Sequence, residues 1–239
     1  MTGQIQSLLN QNKRILAVLI DPDKATPDHL EQLLTPENQA RIDFLLVGGS
    51  VLTSGNIDDT LTEIQKLSKL PTVLFPGSPD QISSKADAIL LLSLISGRNA
   101  DLLIGKHVES SLRLKQSGLE ILPTGYILVD GGSATTVSYI SGTQPIPSIK
   151  TGLAAVTALA GEQLGLRVTY IDAGSGANQP IPVDMIKQVR SHVTGPIIVG
   201  GGVRTSEKAK AAWDAGANVV VIGNKLEEDP EFLKNLGKC

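Results

Sequence analysis

Tyr170-Ile171-Asp172-Ala173-Gly174-Ser175-Gly176-Ala177 decides the fold, because two more glycine-bearing strand ends follow it: Val199-Gly200-Gly201-Gly202-Val203 and Val221-Ile222-Gly223-Asn224. Each is an apolar, β-like run that stops in small residues. Small residues leave backbone N–H groups uncovered, and a cluster of such groups presents partial positive charge to an anion. Three in succession, late in a chain of strand–helix repeats, read as the phosphate site of a (β/α)8 (TIM) barrel.

Working outward from this stretch, apolar runs that predict strands recur at 15–21, 42–48, 72–76, 88–94, 120–129, 168–172, 196–200 and 218–222. Their two-sided apolar character suits parallel strands buried on both faces. Helices are predicted between them at 28–34, 58–70, 110–117, 149–164, 183–192 and 206–215. Thr205-Ser206-Glu207 opens the last with a capping hydroxyl, Gly216 closes it, and Pro182 stands at the entry of the one before. No Gly/Ser linker or charge run divides the chain, so residues 1–239 are predicted to form a single α/β barrel domain. At 239 residues the length is that of one such barrel. One segment breaks the rhythm. Residues 130–147 carry Gly131, Gly132, Pro145 and Pro147 at their two ends with Ser and Thr between, and are expected to form a long loop that serves as a lid or wall of a substrate site, an insertion without function being the alternative.

Composition narrows the function. Apolar residues make up 41% and charged residues 19%, enough apolar side chains for a sizeable core. The net charge of −3 and the lack of a Lys/Arg block argue against a nucleic-acid partner. No run reaches the roughly 18 apolar residues of a membrane span, and Met1 to Lys13 is mostly polar, so neither stable membrane insertion nor a signal peptide is expected. Cys239 is the only cysteine, which points to a reducing, cytoplasmic setting.

The first predicted strand runs into Asp21-Pro22-Asp23-Lys24, where barrel active sites are assembled. Carboxylates there suit Mg2+ with a phosphorylated ligand, because hard cations prefer oxygen; a capped turn stiffened by Pro22 is the plainer alternative. The second strand ends Gly48-Gly49-Ser50 and offers the Ser50 hydroxyl as a further oxygen. From the sixth strand, Tyr170 and Asp172 point to chemistry, with Asp172 placed to accept a hydrogen bond from a substrate hydroxyl; a core Tyr170 and a helix-capping Asp172 are the plainer alternative. Arg204 either lends charge to a phosphate or is solvated. His29, His107 and His192 lack metal spacing and read as surface or satisfied histidines. Trp213 reads as outer-shell packing, and no Ser-His-Asp or Cys-His set supports covalent catalysis.

Leu19-Ile20-Asp21-Pro22-Asp23-Lys24, Val47-Gly48-Gly49-Ser50, Leu92-Ser93-Leu94-Ile95-Ser96-Gly97-Arg98-Asn99, Tyr170 to Ala177, Gly200 to Arg204 and Gly223-Asn224, taken in order, resemble the geranylgeranylglyceryl phosphate synthase family across the whole chain. The resemblance implies transfer of a prenyl group from geranylgeranyl diphosphate to sn-glycerol 1-phosphate, an ether-bond-forming step of phospholipid biosynthesis. It implies Asp21 and Ser50 as the Mg2+ positions. For glycerol 1-phosphate it implies Tyr170, Ile171, Asp172, Ala173, Gly174, Ser175, Gly176, Gly201, Gly202, Gly223 and Asn224. It also implies a homo-oligomer.

Two departures from the family pattern matter. The family often has glutamate where this chain has Asp172, and the branch with heptaprenyl specificity carries lysine at the position of Leu19. The chain is therefore expected in the archaeal-like group, with the geranylgeranyl donor, and heptaprenyl is the alternative. The low aromatic content, 3%, predicts an aliphatic prenyl groove. A sugar-phosphate isomerase or lyase, and a non-catalytic phosphate-binding barrel, stand as the competing readings.

Overall fold

The computed structural model describes residues 3–229 and 231–236, so Cys239 lies outside the described residues. Eight parallel strands close into a barrel: β1 Ile15–Ile20, β2 Phe44–Val47, β3 Thr72–Leu74, β4 Ala88–Leu94, β5 Glu120–Leu128, β6 Val168–Asp172, β7 Ile197–Gly200 and β8 Val219–Ile222. They follow chain order and β8 pairs back onto β1, as Leu16↔Val220 and Val18↔Ile222 show. The eight expected strands are all present.

Alternation along each strand sorts the core into two layers. Ala17, Leu46, Val73, Leu90 and Tyr170 fill the barrel interior, while Leu16, Leu45, Leu74, Ile89 and Ile171 face the surrounding helices. Helix α1 (Gln4–Leu9) closes the N-terminal end, where Ile5 and Leu9 join the inner layer. Glu120 accepts the N–H groups of Ile5 and Gln6 at 2.8 Å each, a carboxylate placed on a helix N-terminus.

The outer ring comprises α2 (Pro27–Leu33), α3 (Pro36–Gln39), α4 (Ile57–Leu67), α5 (Lys106–Ser117), α6 (Thr136–Ser141), α7 (Thr151–Gln163), α8 (Val183–Arg190), α9 (Ser206–Asp214), α10 (Asn224–Glu228) and α11 (Phe232–Asn235). Trp213 packs in this ring as expected, and its indole N–H donates to the Ile15 carbonyl at 3.1 Å.

Two departures from regular strand–helix repetition shape the upper face. Between β3 and β4 there is no α-helix, just a 3-10 turn at Pro79–Gln81. The β3–β4 seam is also short, Val73↔Ala88 and Leu74↔Ile89, whereas β4 and β5 run in register from Ala88↔Glu120 to Leu94↔Tyr126. In addition, the 130–147 segment is not wholly irregular. Val129 bridges Ile146, and α6 stands between them with a capping box of Thr135 and Ser138. The Ser/Thr content that reads as loop is, in part, a helix cap.

Candidate active site

A cavity of about 280 Å³ opens at the C-terminal ends of the strands. Asp21 and Ser50 line one side of it, just beyond β1 and β2. A Cβ on Gly49 would sit 3.5 Å from Asp21 Oδ1, so the carboxylate lies against the β2 end. Burial raises the Asp21 carboxyl above its ordinary range, against the opposing pull of the Asp23 N–H and the Lys24 charge. Its neighbours do not share the site. Asp23 accepts from Thr53, Ser54 and Gly55; burial alone would raise its carboxyl, but these donors hold it well below the usual carboxylate range. Lys24 is paired with Glu227 at 2.7 Å. Of the three charged residues read together after β1, Asp21 alone lines the main cavity.

Gln81, which the sequence reading passed over, anchors this side. Its amide nitrogen donates to the Gly49 carbonyl at 2.8 Å, and its oxygen accepts from the N–H of Gly77 at 3.2 Å and of Gly49 at 3.4 Å. It is buried and ties the β2 and β3 ends together beside Ser50.

The opposite side is the glycine-rich cup. Ser175, Gly176, Gly201, Gly202, Gly223 and Asn224 all line the cavity. Ser175 Oγ donates to Asn224 Oδ1 at 2.9 Å, joining the β6 and β8 ends. Among the described residues, the N–H groups of Ser175, Gly176, Gly201 and Gly202 make no backbone hydrogen bond. Gly201 and Gly202 adopt φ of 81° and 68°, and a Cβ on Gly201 would lie 2.8 Å from the Gly174 nitrogen. Only glycine meets both demands. Arg204 and Lys225 border the same end; Arg204 approaches Glu228 at 4.0 Å and Lys225 is paired with Asp229 at 3.2 Å.

Three of the residues implied for glycerol 1-phosphate do not line the cavity. Ile171 and Ala173 bury their side chains in the outer apolar layer, because strand alternation turns them away from Tyr170 and Asp172. The Ala173 N–H donates to Gly200 at 3.1 Å. The Gly174 N–H donates to Asp172 Oδ1 at 2.9 Å, so it serves the carboxylate rather than a phosphate.

Asp172 is buried at the floor of the cavity. Its Oδ2 accepts the Tyr126 hydroxyl at 2.6 Å. Burial raises the Asp172 carboxyl, with the Tyr126 and Gly174 donors working the other way. Tyr126 is therefore the phenol that engages the acid, whereas Tyr170 stacks on Phe75 at 5.0 Å and 9°. Gly200 makes room for it, since a Cβ there would lie 2.5 Å from the Tyr170 hydroxyl. The signal for Tyr126 was its register opposite Tyr170, which requires knowing the β5–β6 pairing.

From this junction the cavity continues as an apolar groove. Leu90, Leu92 and Leu94 of β4, Leu102 of the π-helical turn Asp101–Gly105, and Leu114 of α5 line it. Ile89 lines it too although it belongs to the outer layer, so the groove passes out through the β3–β4 seam. Val137 and Ile140 of α6 wall the mouth, giving the 130–147 segment its expected place beside the site. His107 is half-buried in the groove wall with Nε2 3.3 Å from Ser93 Oγ, and burial lowers its pKa. His29 borders a small pocket by Lys24, and His192 is half-buried away from the main cavity.

Comparison with known proteins agrees with this geometry. Residues 9–238 match the PcrB family. The chain is 54% identical to a geranylgeranylglyceryl phosphate synthase of Spirosoma linguale over 94% of this chain and 90% of that one. It is 37% identical to the Thermococcus kodakarensis enzyme of the same name, over 95% and 90%. A crystal structure of (S)-3-O-geranylgeranylglyceryl phosphate synthase from Thermoplasma acidophilum, in complex with its substrate sn-glycerol-1-phosphate, superposes with a TM-score of 0.89. It is 30% identical, with 99% of this chain and 96% of that one covered. The chain belongs to the PcrB family, the family of the geranylgeranylglyceryl phosphate synthases.

Proposed function

We propose that the chain joins sn-glycerol 1-phosphate to geranylgeranyl diphosphate through an ether bond and releases diphosphate. The observation that carries this reading is the union, in one cavity, of a glycine-rich anion cup and a long aliphatic groove, with Asp172 at their junction. A sugar-phosphate isomerase or lyase has use for the cup and none for the groove.

The cup holds the acceptor phosphate through the N–H groups of Ser175, Gly176, Gly201 and Gly202, with Arg204 and Lys225 adding charge at its rim. Asp172 then faces the attacking hydroxyl, orients it, and takes its proton as the new C–O bond forms. A carboxyl raised by burial holds that proton better than a solvated one. The groove buries the prenyl tail, at ~0.8 kcal/mol for each CH2 removed from water, so its length governs donor preference. Leu19 lines the cavity at the position where the resemblance implies lysine in the heptaprenyl-specific branch, and this departure favours the geranylgeranyl donor.

The donor set fits Mg2+. Asp21 and Ser50 supply hard oxygens at the cavity wall, and burial penalises the Asp21 charge in a way that a cation would relieve. Among the described residues no group of three or more His, Cys, Asp or Glu surrounds a common point. Substrate diphosphate and water would supply the remaining ligands, as is usual for this ion. When bound, Mg2+ would offset the charge of the departing diphosphate.

Purified protein with labelled glycerol 1-phosphate and prenyl diphosphates of graded length tests the reading. Label should enter the organic phase with Mg2+, best with the geranylgeranyl donor, and not with a chelator. Asp21→Asn should lower turnover by at least about a hundredfold with an unchanged melting temperature; a fully active variant removes the metal assignment.

A homo-oligomer and a cytoplasmic location belong to the same proposal. Ile104, Val108 and Leu112 around α5, and Ile149, Leu153 and Val156 around α7, are exposed, as surfaces that pair between copies are. Among the described residues, no helix is long and apolar enough to cross a membrane. Sedimentation equilibrium showing a monomer would remove the first of these.

A further inference from the structure

We propose that the Phe75 ring, backed by the stacked ring of Tyr170 and by Tyr126, presents a π face that stabilises the positive charge developing on the donor's allylic carbon. The inference rests on the prenyl-transfer reading above and assigns to its site a charge-stabilising device beyond the metal and the acid.

The chain holds three Phe, three Tyr and one Trp, yet three of these seven meet at one point. Phe75 and Tyr170 stack at 5.0 Å, Phe75 and Tyr126 lie 6.0 Å apart at 54°, and Tyr126 and Tyr170 lie 5.5 Å apart at 48°. All three line the cavity. Within it Tyr126 donates to Asp172 and lies in register with Leu94 of β4, and Ser50 lines the same cavity. A cluster serving packing alone would be closed, whereas Phe75, just past the end of β3, stays partly open to the cavity.

The chemistry calls for such a surface. In the proposed transfer the C1–O bond of the donor breaks and its electron pair leaves with diphosphate. Positive charge then spreads over the allylic carbons until a lone pair of the acceptor hydroxyl forms the new C–O bond and the hydroxyl proton passes to Asp172. Ring faces attract cations, and they do so more strongly where water is excluded. The Tyr126 hydroxyl donates to the Asp172 carboxylate at 2.6 Å, which pushes electron density into its ring.

Replacing Phe75 with its 4-fluoro, 3,5-difluoro and 3,4,5-trifluoro analogues withdraws electrons from the face while preserving shape. Single-turnover transfer from geranylgeranyl diphosphate should fall stepwise along the series, to about tenfold at the trifluoro ring. Affinity for glycerol 1-phosphate should be unchanged. Phe75→Leu, which keeps apolar bulk and removes the π face, should lose at least as much rate with the same affinity. A flat fluorine series, or a Phe75→Leu protein as fast as the parent, overturns the inference and leaves prenyl transfer standing. An unmodified protein that transfers no prenyl group from any donor overturns both.

Discussion

Tyr126→Phe tests the acid at the heart of the site while keeping the ring. The substitution removes one of the two hydrogen bonds seen on the buried Asp172 carboxylate and leaves the Gly174 N–H. A hydrogen bond to a charged group is worth about 1.5–3 kcal/mol, which corresponds to about 1–2 pKa units at 1.36 kcal/mol each. Burial already raises Asp172 above the ordinary 3.8, and losing the phenol raises it further. The acid limb of the kcat/KM profile should therefore move up by about 1–2 pH units relative to the parent. Both proteins are assayed with the same substrates, so substrate titrations cancel in the comparison.

Stability follows the same linkage. The folded chain binds this proton more tightly than the unfolded chain does, so the contribution of Asp172 is fully present below the unfolded pKa and is lost as pH rises through the folded one. Raising the folded value further makes the variant about 1.5–3 kcal/mol less stable than the parent near pH 7, with the gap closing as the medium is acidified through the folded values. Superimposed acid limbs, together with a stability gap indifferent to pH, would refute the assignment of the carboxylate and its phenol.

Two further outcomes probe the walls of the site. Gly201→Ala places a methyl 2.8–2.9 Å from the backbone nitrogens of Gly174 and Ala173 at φ 81°, a strain of about 1–3 kcal/mol. Calorimetry should show glycerol 1-phosphate binding weakened about tenfold or more, and a dissociation constant within twofold of the parent would show that the cup does not depend on this close approach. Gln81→Leu deletes the buried amide that bonds Gly49 and Gly77, at about 1 kcal/mol for each lost bond. Denaturant unfolding should report a loss of about 2–3 kcal/mol, and kcat should fall more than the affinity for glycerol 1-phosphate, since the Ser50 side is loosened and the cup is not. Equal loss in both would mean that Gln81 acts on the fold alone.

The barrel was legible because strand signals are local. Runs such as Val219–Ile222 and Phe44–Val47 are apolar throughout and both end at glycine, so pattern and punctuation suffice. The glycine cup was legible for the same reason, since its demand for small residues is written at consecutive positions. What escaped depended on partners distant in sequence. Tyr126 matters through Asp172, 46 residues away, and Gln81 through Gly49, 32 residues away. Gly174 looks like a phosphate donor until the Asp172 side chain is seen to occupy its N–H. Helix α1 was missed because its six residues, Gln-Ile-Gln-Ser-Leu-Leu, are too few to show a helical period, and because the carboxylate on its N-terminus, Glu120, lies 115 residues on.

Specificity for a long apolar donor arises here from an omission. A regular barrel would place a helix between β3 and β4 and cover the outward faces of both strands. This chain spends that connection on a 3-10 turn whose one buried polar side chain, Gln81, is committed to the β2 and β3 ends. The outward-facing Ile89 and the inward-facing Leu90 thereby line the same cavity, which two residues of opposite strand parity cannot do under a closed wall. Phe75, just past the end of β3, lines the same cavity as Asp172, so the cavity carries polar groups as well as the aliphatic side chains of β4. Filling the breach should accordingly remove donor binding before it disturbs the acceptor cup, because the two are built from different strands.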